Sequence, residues 1–170
     1  MALSVLLVMG SDSDLDQTVA AMEVLAELGV VVEATVASAH RSPERVIALA
    51  RGARQKGVGV VVAAAGGAAH LAGVIAAHTT LPVVSVPLAV GTLGGLDALV
   101  SSVQMPAGVP IASVGIGGAR NAGLFAAAIL AVGDPELAAR LAAWRADQTA
   151  KVAQADARVR AQLAGRGRTS

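Results

Sequence analysis

Short β-branched apolar runs alternate with longer alanine- and leucine-rich stretches along the whole chain, and this alternation limits the possible folds most sharply. Val5–Met9, Val30–Val36, Val58–Val62, Val83–Val86 and Ile111–Val114 read as strands. Helices are expected over Asp14–Leu28, from Ser42-Pro43 to near Gly57, over Gly67–Ala77, around Leu96–Val103 and over Asn121–Val132. A last helix, with some breaks, is expected from Asp134-Pro135 toward Leu163. Ser42 and Pro43 suit the N-cap and first helical positions, and Gly29 suits a helix stop. Strands that are apolar throughout and alternate with helices imply a parallel sheet covered on both faces, with right-handed crossovers. The expected fold class is therefore α/β: a flavodoxin-like, doubly wound, five-stranded parallel sheet in three layers, with a long C-terminal helix.

The 170 residues fit one core, so residues 1–164 are expected to form a single domain and 165–170 a frayed tail. A hydrophobic share of 55% against 15% charged residues excludes a disordered chain. A net charge of +1 argues against a nucleic-acid or membrane-surface protein. The mean hydropathy of +0.66 raises the question of a membrane span. However, the charge-free stretch between Lys56 and Asp97 is broken by Gly66-Gly67, His70, His78, Thr79-Thr80, Pro82, Pro87 and Gly94-Gly95. A spanning helix needs roughly 20 unbroken apolar residues. The absence of cysteine removes disulfides and thiolate metal sites and fits a reducing compartment. The helices at Gly67–Ala77 and Asn121–Val132 have almost no polar face, which predicts burial against other subunits.

Three segments carry chemistry, each where a strand's carboxyl end meets a loop. Ligands in doubly wound sheets bind at that edge. Gly10-Ser11-Asp12-Ser13-Asp14 follows the first strand and offers hydroxyls and N–H groups for a phosphate, with Asp14 better suited to a sugar hydroxyl. Simple helix capping explains the same residues equally well. No Walker lysine follows. Ser38-Ala39-His40-Arg41-Ser42-Pro43 follows the second strand. There Arg41 can pair with phosphate and His40 can move protons near neutral pH. Ala65-Gly66-Gly67-Ala68-Ala69-His70-Leu71 follows the third strand, and its N–H groups can hold a carboxylate. Whether His70 is catalytic or a satisfied structural histidine stays open at this point. The run from Gly115 to Arg120 lacks the last glycine of a dinucleotide fingerprint and follows the last strand. His40, His70 and His78 do not form a metal-ligand pattern, and no metal site is expected. The scarcity of aromatic residues argues against a flavin-binding electron carrier.

Taken together, these segments resemble the 5-(carboxyamino)imidazole ribonucleotide mutases, the catalytic subunit of the bacterial purine-pathway carboxylase (class I). Leu81-Pro82, Val86-Pro87, Leu96-Asp97-Ala98-Leu99, the run from Val103 to Pro110, and Trp144-Arg145 add to the likeness, which covers Val5 to about Val152. The resemblance implies conversion of N5-carboxyaminoimidazole ribonucleotide to its 4-carboxy isomer by decarboxylation and recarboxylation, without cofactor or ATP, in a cytoplasmic homo-octamer. It implies an aminoimidazole ribonucleotide substrate, handed over transiently by an ATP-dependent N5-carboxylating synthetase, and no nucleic-acid or membrane partner. By position, Ser11, Ser13, Asp14 and Arg41 would hold the ribose phosphate, and Ser38, Ala39 and His40 would line the base. Ala65, Gly66, His70 and Leu71 would form the carboxylate pocket, with His40 as general acid and base. Two departures stand out. Ala72 replaces the usual proline after the His-Leu pair, and the loop from Ile116 to Ala122 looks short and carries an unusual Arg120.

Overall fold

The computed structural model describes residues 4–166. Five strands form one sheet: β1 (Ser4–Met9), β2 (Val32–Val36), β3 (Val58–Gly66), β4 (Val83–Leu88) and β5 (Ala112–Ser113). All pairings are parallel and the order is β2-β1-β3-β4-β5, the flavodoxin-like arrangement. Between them run α1 (Leu15–Glu27), α2 (Pro43–Gly52), α3 (Leu71–Ala76) and α4 (Leu96–Val103). After β5 come α5 (Ala119–Ala131) and α6 (Pro135–Arg166). Successive side chains of a strand point to opposite faces, and the core divides accordingly. Val5, Leu7, Val60 and Val62 face α1, α5 and the start of α6, whereas Leu6, Val8, Val61 and Ala63 face α2 and α3. The result is three layers. Among the described residues no helix is long and apolar enough to cross a membrane.

Three boundary expectations are corrected. β3 does not stop at Val62 but runs to Gly66, because Ala63–Gly66 find partners in β4 from Ser85 to Leu88. The helix expected over Gly67–Ala77 begins only at Leu71. Gly67 and Ala69 have φ of +61° and +46°, and left-handed residues cannot enter a right-handed helix. The last helix has no breaks and continues through Gly165 to Arg166 into the expected tail; residues 167–170 lie outside the described part.

The apolar character of α5 has much of its explanation within the chain. Ala119, Ala122, Gly123, Ala126, Ala127 and Leu130 are buried, while Phe125 and Val132 remain exposed. Gly123 permits the closest approach to α1. A Cβ there would lie 2.6 Å from Val24 Cγ1 and 2.8 Å from the Ala21 carbonyl oxygen. Gly123→Ala gains about 1 kcal/mol of helix propensity but must force two backbones apart, a cost of about 1–3 kcal/mol. A net loss of stability is expected, read as a lower Tm in thermal melting; an unchanged or raised Tm would contradict this packing.

The end of α1 is clasped from two helices. Arg140 Nε donates to the Leu28 carbonyl oxygen at 2.8 Å, capping the helix end. The Glu27 carboxylate accepts from Trp144 Nε1 at 3.0 Å and from Arg120 Nη2 at 2.9 Å, and the Arg120 guanidinium lies 5.8 Å from the Trp144 ring centroid. The unusual Arg120 thus has a structural partner. The Trp144 and Arg120 hydrogen bonds hold the Glu27 carboxyl below the usual glutamate range. A depressed carboxyl contributes stability that is present above its unfolded value and lost as pH falls through the folded one. Trp144 is the sole tryptophan. Its fluorescence is therefore expected to shift with a midpoint below the ordinary glutamate range, and Glu27→Gln is expected to remove that shift.

Candidate active site

The carboxyl ends of β1, β2 and β3 lie side by side because both β2 and β3 pair with β1. The loops that follow them surround a cavity of about 440 Å³. The register carries this alignment to the strand ends. Met9 is level with Val36 and Ala64, Ala37 N–H donates to the Met9 carbonyl at 2.9 Å, and Gly10 N–H donates to the Ala64 carbonyl at 3.0 Å.

The first loop is a single 3-10 turn, Asp12–Asp14, entering α1. The Ser11 N–H donates to Asp14 Oδ2 at 2.9 Å. Ser13 Oγ donates to Ser11 Oγ at 3.0 Å, and Ser11 Oγ donates to Asp12 Oδ1 at 3.0 Å. The capping reading of this segment holds. The residues cap a turn, and Ser11, Ser13 and Asp14 also line the cavity. Burial pushes the Asp14 carboxyl above the usual aspartate range, against the pull of the Ser11 and Gly10 N–H groups. Asp12 is exposed and held low, first by the Ser11 hydroxyl.

The second loop is tied to itself. Ser42 occupies the N-cap position of α2, yet its hydroxyl bonds Ser38 rather than the helix: it accepts from Ser38 N–H at 3.0 Å and donates to the Ser38 carbonyl at 3.2 Å. Ser38 Oγ accepts from the Arg41 N–H at 3.2 Å. Arg41 Nη2 reaches across to the Gly10 carbonyl at 3.1 Å. The guanidinium is thus anchored at the cavity rim, with no carboxylate within 4 Å among the described residues. Its remaining N–H groups suit an anion.

The third loop turns through Gly67 and Ala69, with the Ala69 N–H donating to the Gly66 carbonyl at 3.2 Å. A non-glycine residue at φ +46° is uncommon and concentrates at functional sites. This turn puts His70 immediately before α3, facing the second loop. His40 Nε2 and His70 Nδ1 are 2.8 Å apart, with ring centroids 4.9 Å apart and planes at 73°. Two imidazoles separated by thirty positions share one hydrogen bond, and one N–H lies between them.

All eleven residues singled out from the sequence line this cavity: Ser11, Ser13 and Asp14; Ser38, Ala39, His40 and Arg41; and Ala65, Gly66, His70 and Leu71. Gly10, Ala69 and Val90 also line it. Val90 carries no motif. Its only sequence signal is that it follows β4 at the same edge of the sheet. His78 stands apart, with Nδ1 2.8 Å from the Val74 carbonyl oxygen in a different cleft beside Arg51 and Arg54. Among the described residues, no three His, Asp or Glu side chains converge as a ligand set.

Known proteins match the chain over most of its length. The family model described as AIR carboxylase matches residues 4–151. An N5-carboxyaminoimidazole ribonucleotide mutase of Mycobacterium tuberculosis is 50% identical over 159 residues, covering 94% of this chain and 91% of the relative. One from Brucella melitensis is 49% identical over 156 residues, covering 91% and 96%. The crystal structure of a Treponema denticola PurE2 variant superposes with a TM-score of 0.83 over 93% of this chain and 98% of its own; at 24% identity it speaks for the fold alone. The sheet order, the cavity of three motif loops and half-identity across nearly the whole length agree: this chain belongs to the AIR carboxylase family.

Proposed function

We propose that the chain is an N5-carboxyaminoimidazole ribonucleotide mutase of purine biosynthesis, working as one catalytic unit over residues 1–164. The observation that carries this reading is the His40–His70 hydrogen bond at 2.8 Å, inside a cavity whose rim also holds Arg41 and two serine hydroxyls. Arg41, Ser11 and Ser13 bind the ribose phosphate, and Asp14 takes a sugar hydroxyl. Ser38 and Ala39 lie along the base. Ala65, Gly66, His70 and Leu71 enclose the migrating carboxylate.

Protonated His40 gives its proton to N5 as the N–C bond breaks. The bond's electron pair stays on nitrogen, and carbon dioxide leaves as a neutral molecule. The electron-rich ring C4 then forms a C–C bond to that carbon dioxide. The C4 proton passes to His40, now neutral, which restores the starting imidazolium. Protons and charge balance over the cycle, so the reading needs no cofactor. His70 supports the charged form by accepting an N–H of the imidazolium. Holding carbon dioxide against C4 converts a two-body encounter into a local one, an advantage of several kcal/mol.

The same reading takes the enzyme as a cytoplasmic homo-octamer that receives its substrate from an ATP-dependent N5-carboxylating synthetase. Exposed Phe125, Leu96, Val100 and Val103 provide apolar surface for subunit contact. Product formation from the N5-carboxylated nucleotide, compared with the unsubstituted nucleotide plus bicarbonate, tests the proposal. Turnover is expected from the former; turnover from the latter alone would make the chain a direct carboxylase instead.

A further inference from the structure

Gly66 ends β3 beside His70 and Leu71, at the part of the cavity where the mutase reading puts the carboxylate. A Cβ on Gly66 would lie 2.1 Å from Val90 Cγ2 and 3.2 Å from Val90 Cβ and Cγ1. The volume that any side chain at 66 would need is already filled by Val90. Val90 sits on the loop from Ala89 to Gly95 between β4 and α4, and is 37% exposed. The base of this loop is pinned. Gly95, at φ +90°, is so close to the end of β4 that a Cβ there would fall 3.0 Å from the Leu88 carbonyl oxygen and 3.1 Å from Ala89 Cα. Val90 is two residues past the end of β4 and one residue from that base.

We infer that Val90 is a positioning residue that roofs the Gly66–His70 end of the cavity and keeps the freed carbon dioxide against the ring. The inference rests on the mutase reading. Carbon dioxide carries no net charge and offers no strong hydrogen-bonding group, so charge-assisted contacts of the kind Arg41 makes cannot retain it. Shape must retain it, and an apolar branched side chain packed on a bare glycine is suited to that task. The same wall excludes water, whose attack would divert carbon dioxide to bicarbonate.

The test uses substrate carrying carbon-13 in its N5-carboxylate, turned over in excess unlabelled bicarbonate, with label in the product read by mass spectrometry. Wild-type product is expected to keep most of its label. Val90→Gly is expected to lower retention by roughly threefold or more, because the bound fragment no longer stays in place. Affinity for the product nucleotide should stay within about twofold, since the phosphate is assigned to Ser11, Ser13 and Arg41 on other loops. Val90→Ile is expected to restore retention. Val90→Ala gives the same reading in milder form if the glycine variant melts early. Retention by Val90→Gly equal to wild type, or loss of label by the wild type itself, would overturn the inference. Absence of any product from this substrate with the wild type would instead overturn the mutase reading.

Discussion

His40→Asn is expected to stop carboxylate transfer while leaving the nucleotide site formed. Asparagine keeps a hydrogen-bonding group of similar size but cannot carry a proton at neutral pH. General acid–base catalysis by one side chain is usually worth about 100- to 10,000-fold. Here the loss should lie at or beyond the upper end, because the same imidazole acts in both half-steps. His40 is exposed at the cavity rim, and its side-chain hydrogen-bond partner is His70. Folding should therefore be little affected, and nucleotide affinity should hold within about tenfold, because Ser13 and Arg41 are untouched. Exchange of the ring C4 proton of aminoimidazole ribonucleotide with deuterium, followed by NMR, checks the base role separately. If the variant transfers carboxylate at near the wild-type rate, His70 or a water must carry the proton and the mechanism proposed above is wrong.

Arg41→Ala is expected to weaken nucleotide binding far more than it disturbs the fold. Arg41 is exposed, and its guanidinium is held by the Gly10 carbonyl and Ser38 Oγ rather than by a carboxylate. Its charge is thus available to a phosphate at little desolvation cost. A hydrogen bond to a charged group is worth about 1.5–3 kcal/mol, or roughly 10- to 150-fold in Kd. Arg41→Lys should recover only part of this, because a single ammonium cannot reproduce the forked contact while also reaching Gly10. Titration calorimetry with the product nucleotide measures both variants. Wild-type affinity in Arg41→Ala would remove Arg41 from the phosphate site.

The alternation of apolar strands with helices is a local pattern, and it determined the layered parallel sheet and most of its elements. The three motif loops were legible for a related reason. A glycine, serine or histidine just past an apolar strand lies at the carboxyl edge whatever the strand order. The order itself is a matter of long-range pairing. Because β2 and β3 both chose β1 as neighbour, the loops bearing His40 and His70 face each other and the two imidazoles meet. No local signal encodes that contact, and only the fold supplies it. The alanines from Ala63 to Ala65 look helical by propensity, yet pairing with β4 makes them strand. Ala69 would be assigned to a helix by its neighbours, and the turn that aims His70 holds it at positive φ instead. Val90 and Arg120 belong to the same class. What each does depends on a partner distant in sequence, Gly66 in one case and Glu27 in the other, and such partners are set by packing rather than by composition or spacing.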